Sequence, residues 1–176
     1  MRAPRFRPAA RDVFVYTRVV GQRAARLLVQ VAFVSGGGEV VLSTFAWRPA
    51  DEDYTRSPIG KDALRLVGPA TPTMTRLAPL ITQICSGAHV ITANLDVQRE
   101  LLPPAALALA RRVTELPDRL SDYLSDNGAD FRDIDATQDA ATIAFRILYL
   151  WSGALPTDRH MPMLHESWAG LERSWS

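Results

Sequence analysis

The side chains in this chain that could do chemistry are few, and two of them share one short stretch. Residues 13–21 read Val-Phe-Val-Tyr-Thr-Arg-Val-Val-Gly, a hydrophobic strand that carries Tyr16 and Arg18. A tyrosine ring is a surface on which a base can stack, and a guanidinium suits a bidentate phosphate contact. The other reactive types form no constellation. His89 opens an apolar run, so a structural or surface role fits it better than catalysis. His160 and His165 are five apart, whereas a metal-ligand pair on a helix needs a spacing of about three or four. Cys85 is the only cysteine and has no nucleophile motif around it. Gly36-Gly37-Gly38 is followed by no Lys-Ser/Thr pair, so it reads as a hairpin turn and not as a phosphate loop.

The scaffold that must position these residues is bounded by bulk properties. A chain of 176 residues suits one domain with a real core. Twenty basic and 19 acidic residues leave a net charge of +1, so no global field argues for nucleic acid or acidic partners. Lys61 is the only lysine, so the basic residues are almost all arginine. A lone cysteine permits no intrachain disulfide. No apolar run approaches a membrane span, and residues 1–11 carry Arg2, Arg5, Arg7 and Arg11 without the apolar core of a secretion signal. The expectation is a basic N-terminal arm over residues 1–11, cytoplasmic residence and no membrane partner.

Element signals follow in order. Val13–Tyr16 and Leu27–Val34 read as strands, and the glycines at 36–38 turn the chain into a third at Glu39–Phe45. Trp47–Gly60 is polar and Pro-bearing and reads as a loop. Asp62–Val67 suggests a short helix. Pro72-Thr73 opens a longer one with Met74, Leu77, Leu80, Ile81 and Ile84 at helical spacing, ended by Gly87. Pro79 inside it implies a bend or a late start. His89–Thr92 reads as a buried strand, and Asn94 as the cap of a helix to about Leu102, broken by Pro103-Pro104. Leu107–Arg112, Pro117–Ser125 and Asp135–Trp151 read as helices. The sum is an α/β fold with a mixed central sheet, antiparallel hairpin first, flanked by helices.

These pieces, in this order, resemble the proofreading-subunit type of 3′–5′ exonuclease, the DEDDh family with a ribonuclease-H-like fold. In that family the first strand runs into Asp-x-Glu-x-x-Gly; here the strand and Gly21 stand with Tyr16 and Arg18 at the acidic positions. Ala63-Leu64-Arg65-Leu66-Val67-Gly68, Pro72-Thr73, Leu77-Ala78-Pro79, Asn94-Leu95-Asp96-Val97-Gln98 and Leu107-Ala108-Leu109-Ala110-Arg111-Arg112 resemble successive family segments. Ile134-Asp135-Ala136-Thr137-Gln138-Asp139-Ala140 resembles the last motif, His-x-Ala-x-x-Asp-Ala. The similarity implies an exonuclease-like domain over residues 12–151 and a tail over 152–176.

The family hydrolyses phosphodiesters with two Mg²⁺ or Mn²⁺ ions held by four carboxylates, with a histidine as general base. Carried over, those five positions are Tyr16, Arg18, Gln98, Ile134 and Asp139, and only Asp139 keeps the family's residue. A guanidinium 4 Å from a divalent ion costs roughly 8 kcal/mol at an effective dielectric of about 20. The resemblance therefore implies Arg18 as counter-charge to Asp139 in place of a metal. Neighbouring acids do not repair the set: Asp96 is turned roughly 200° from residue 98 on a helix, Asp12 sits four residues before Tyr16, and Asp135 suits a helix cap.

The expectation is a catalytically inactive exonuclease-like protein without a cofactor. It acts by binding a single-stranded DNA or RNA end, or a protein partner. Tyr16, Thr17, Arg18, Val19 and Asn94 are the nucleic-acid candidates. Leu164, Trp168, Leu171 and Trp175 fall at i, i+4, i+7 and i+11, one apolar stripe that either packs back on the domain or docks a second copy or partner. Two alternatives stay open: an active 3′–5′ exonuclease with a rearranged metal site, and a homo-oligomeric scaffold without nucleic-acid affinity.

Overall fold

Apolar residues fill both faces of the first strand. Val13 and Val15 point one way, Phe14 and Tyr16 the other, and all four are buried. A strand with no solvent face needs helices on both sides. A computed structural model describes residues 11–23, 25–50, 67–116 and 140–152.

Among the described residues, β1 (Asp12–Arg23), β2 (Arg26–Ser35) and β3 (Val40–Pro49) form an antiparallel meander. Helix α1 (Met74–Cys85) leads to β4 (His89–Thr92), then α2 (Leu95–Leu101), α3 (Pro104–Ala108), β5 (Arg112–Glu115) and α4 (Ala140–Ser152). The five strands make one mixed sheet in the order β3-β2-β1-β4-β5, with β4 parallel to β1 and β5 parallel to β4. One face packs on α4, where Phe14, Ala32, Val34 and Ile91 meet Ile143, Ile147 and Leu150. The other packs on α1, α2 and α3, where Val15, Val29, Val31 and Val90 meet Ile81, Cys85, Leu101 and Ala106. The mixed α/β sheet with its antiparallel part first is as the sequence implies.

Local chemistry explains the boundaries. Gly38 takes φ +82° in the β2–β3 turn, and the Ser35 hydroxyl accepts from the Glu39 N–H at 3.1 Å. The Thr73 hydroxyl caps α1 by accepting from the Arg76 N–H at 3.2 Å, and Gly87 at φ +67° follows the helix end. Pro79 neither delays nor breaks α1, which starts at Met74. Thr75, whose carbonyl loses its i+4 donor, is exposed to water, as is Pro79.

Three expectations need correction. Strand β1 does not stop at Tyr16 but continues to Arg23: the register shift between Val19 and Gly21 leaves Val20 as the extra residue of a bulge, and pairing with β2 resumes at Gly21. Trp47–Pro49 is strand, not loop: these residues pair with Leu28, Leu27 and Arg26 of β2. Leu107–Arg112 is not one helix; Pro104 starts α3 as a favoured first residue, and β-branched Val113 and Thr114 join the sheet as β5. Asp62–Val67 apart from Val67 itself, Pro117–Ser125 and the tail stripe lie outside the described residues, as do the first residues expected of the Asp135–Trp151 helix. No helix among the described residues is long and apolar enough to cross a membrane.

Candidate functional site

Strand β1 alternates its side chains between the two halves of the core, and this decides where the candidate residues go. Tyr16 and Arg18 face the α4 side. Tyr16 keeps 8 % of its surface exposed and packs with Phe14, Ala32 and α4. Burial pushes its phenol up to about 12, against the opposing pull of the Arg18 charge. Arg18 is half-buried, and its Nε donates to Oε1 of Gln30, its register partner on β2, at 3.0 Å.

Thr17 and Val19 point the other way. Thr17 is buried, and its hydroxyl donates to Oε1 of Gln98 at 2.9 Å. Gln98 is itself buried on α2 and stands 81 positions away in sequence. Val19 is half-buried against the α1–α3 core. Asn94 caps α2, its side-chain oxygen accepting from the Val97 N–H at 3.0 Å. The structure thus joins Thr17 to Gln98 and sets Tyr16 beside Arg18, on opposite faces of the strand. Ile134, Asp139 and the stripe Leu164, Trp168, Leu171 and Trp175 lie outside the described residues, and so does the expected Arg18–Asp139 pair.

The donor set does not fit a two-metal centre. A phenol held protonated, a guanidinium and an amide stand at the described positions where the exonuclease resemblance would call for carboxylates. The Gln98 oxygen, the one neutral ligand of the three suited to a hard cation, is already accepting the Thr17 hydroxyl. The Tyr16 ring lies in the core with 8 % of the residue exposed, and Thr17 has 1 % exposed. Arg18 and Val19 are half-buried, and Asn94 is exposed.

The Thr17–Gln98 bond makes a stability prediction. Gln98→Met leaves the buried hydroxyl without its acceptor and is expected to cost about 1–3 kcal/mol. Adding Thr17→Val removes the orphaned group and should recover much of that loss. Urea unfolding of the two single variants and the double variant reads the coupling. Strict additivity would show that the bond contributes nothing.

Sequence reasoning missed two other groupings. On the α4 side, His89 Nδ1 lies 3.2 Å from Asp12 Oδ1 and Nε2 lies 2.8 Å from the Thr114 hydroxyl. Asp12, as acceptor, calls for the proton on Nδ1, and the Thr114 hydroxyl, which can donate or accept, suits Nε2 in either role. The ring meets Trp151 edge-on, centroids 5.7 Å apart. Asp12 and His89 are both buried, so this order of groups works as a strut joining β1, β4, β5 and α4. Its only sequence signal was a histidine opening an apolar run.

The second grouping surrounds a cavity of about 680 Å³ at the far end of β1, lined by Arg23, Arg26, Trp47, Gly68, Thr71 and Thr73 among others. The signal available was the pair of arginines bracketing two alanines between strands. It is legible only once β1 and β3 are known to run to Arg23 and Pro49. A scan against protein-family models matches none, and searches of curated proteins and of solved structures find no match.

Proposed function

We propose that this chain is a ribonuclease-H-like, exonuclease-type scaffold that has lost hydrolysis and acts by binding a single-stranded nucleic-acid end. One observation carries the loss of chemistry: the side chains at the described motif positions are engaged with the protein itself, Arg18 with Gln30 and Gln98 with Thr17. Such groups are not poised to gather divalent ions. An antiparallel meander leading into parallel strands supports the scaffold half of the reading. Arginine at 18 and 23 on β1 and at 26 on β2, along one face of the sheet, supports the ligand half, since guanidinium forks match phosphate.

The test is fluorescence anisotropy of an end-labelled single strand. The strand should bind at low salt and remain intact. Its affinity should fall roughly tenfold between about 50 and 200 mM salt, as two or three phosphate contacts on a single strand imply. No binding at low salt would contradict the reading and leave a scaffold that engages proteins only.

A further inference from the structure

None of Tyr16, Thr17, Arg18 and Gln98 lines the cavity beside the β1–β2 hairpin. We infer that this cavity takes a nucleoside phosphate, with the phosphate on Arg23 and Arg26 and the base against Trp47.

Four observations converge there. First, Arg23 and Arg26 stand directly opposite each other in the β1–β2 register. Like charges in that position repel, and among the described residues neither guanidinium has a carboxylate partner within ion-pair distance. A bound dianion relieves the repulsion and accepts from both forks. Second, Thr73 lines the same cavity as N-cap of α1, a 12-residue helix with no acidic residue in its first turn. The positive end of that helix adds to the arginine field.

Third, Trp47 is half-buried over Val20, Leu28 and Phe45, so its indole is held in place. Its backbone N–H donates to the Pro72 carbonyl at 2.9 Å, which ties the segment leading into α1 to the edge of the sheet. A fixed aromatic beside two guanidinia is the combination that separates a nucleotide from inorganic phosphate, because base stacking on an aromatic contributes about 1–3 kcal/mol. Fourth, the volume of about 680 Å³ lies within the usual range of small-ligand sites. The bulge beside Gly21 is what makes the geometry. It shifts the register by one residue, so that Arg23 shares a row with Arg26, two rows from the one that carries Trp47 and therefore on the same face of the sheet.

A free nucleotide and the terminal nucleotide of a strand present the same chemistry. The strand version rests on the binding reading above; the free-nucleotide version does not. Calorimetric titration with adenosine monophosphate, adenosine and inorganic phosphate is therefore run beside anisotropy with a labelled single strand. The proteins are the full chain, Arg23→Gln/Arg26→Gln and Trp47→Phe. Both arginines are exposed, so the double variant should keep the parent melting temperature.

The expected result is that the monophosphate binds more tightly than adenosine or phosphate alone and loses at least tenfold in the double arginine variant. Trp47→Phe should weaken the monophosphate while leaving inorganic phosphate unchanged. Strand binding that also falls in the double variant places a strand end in the cavity. Monophosphate binding without strand binding keeps this inference and removes the strand reading. Strand binding indifferent to both arginines, with no monophosphate binding, overturns this inference and keeps the strand reading. Monophosphate binding of equal strength in the double variant, or no binding of any probe, overturns the inference as well.

Discussion

Tyr16→Asp, which installs the first acid that the proposed exonuclease-type scaffold would have carried, is expected to melt roughly 10 °C below the parent protein and to gain nothing from Mn²⁺. The magnitude comes from the core. Tyr16 packs among Phe14, Ala32 and α4 with 8 % exposure, and truncating a buried aromatic costs about 3–5 kcal/mol. For a chain of this size each kcal/mol moves the midpoint by roughly 2–4 °C. The carboxylate adds its own desolvation, offset only in part by Arg18 beside it. A genuine metal site would behave in the opposite sense. Ion binding to the folded state alone would stabilise it by about 2.7 kcal/mol at a hundredfold excess over the dissociation constant. Thermal melts of parent and variant with and without Mn²⁺ separate the two cases. Recovery of the lost stability by Mn²⁺ would show that the ligand set is more complete than Arg18 and Gln98 allow.

The second large effect lies at alkaline pH. Burial pushes the Tyr16 phenol from 10.0 up to about 12 and the Cys85 thiol from 9.0 up to about 12. Both groups hold their protons longer in the folded chain than in the unfolded one. Unfolding is therefore favoured by proton release, and stability falls as pH rises. The contribution is fully present below pH 9, declines first through Cys85, then through Tyr16 above pH 10, and is exhausted near pH 12. At about 1.4 kcal/mol per unit, the thiol accounts for roughly 4 kcal/mol and the phenol for roughly 3. Urea denaturation at pH 8, 9.5 and 11 should show the midpoint dropping, with a shallower drop in Cys85→Ala and in Tyr16→Phe. A Tyr16→Phe curve parallel to the parent above pH 10 would mean that the ring is solvated.

Much of the frame is readable from local signals. Thr73 and Asn94 are caps by residue type and position, and both make the bond that the type suggests. The glycines at 36–38 mark a reversal because one of them must take positive φ, and Gly38 does. Other signals mislead. The apolar run that reads as strand ends at Tyr16, while pairing carries β1 on through a bulge beside Gly21 to Arg23, so more than half of the strand and with it the arginine pair stay hidden. Trp47 follows an apolar run but precedes Arg48 and Pro49, so its membership of β3 depends on pairing with β2 and not on its neighbours in sequence.

The site is less legible than the frame, for a physical reason. Its defining bonds join residues far apart in the chain: Thr17 to Gln98 across 81 positions and Asp12 to His89 across 77. No periodicity encodes such pairs; they follow from which strands become neighbours. The resemblance says only which residue types stand at the motif positions. Only the packing says that Arg18 is engaged by Gln30 and Gln98 by Thr17, and that the Tyr16 ring lies in the core.

The most direct measurement is incubation of the full chain with a 5′-labelled single strand in Mn²⁺, followed on a sequencing gel over hours. The account predicts a strand of undiminished length, equally for the parent and for Asp139→Ala. A ladder shortening from the 3′ end, present in the parent and lost in Asp139→Ala, would contradict it.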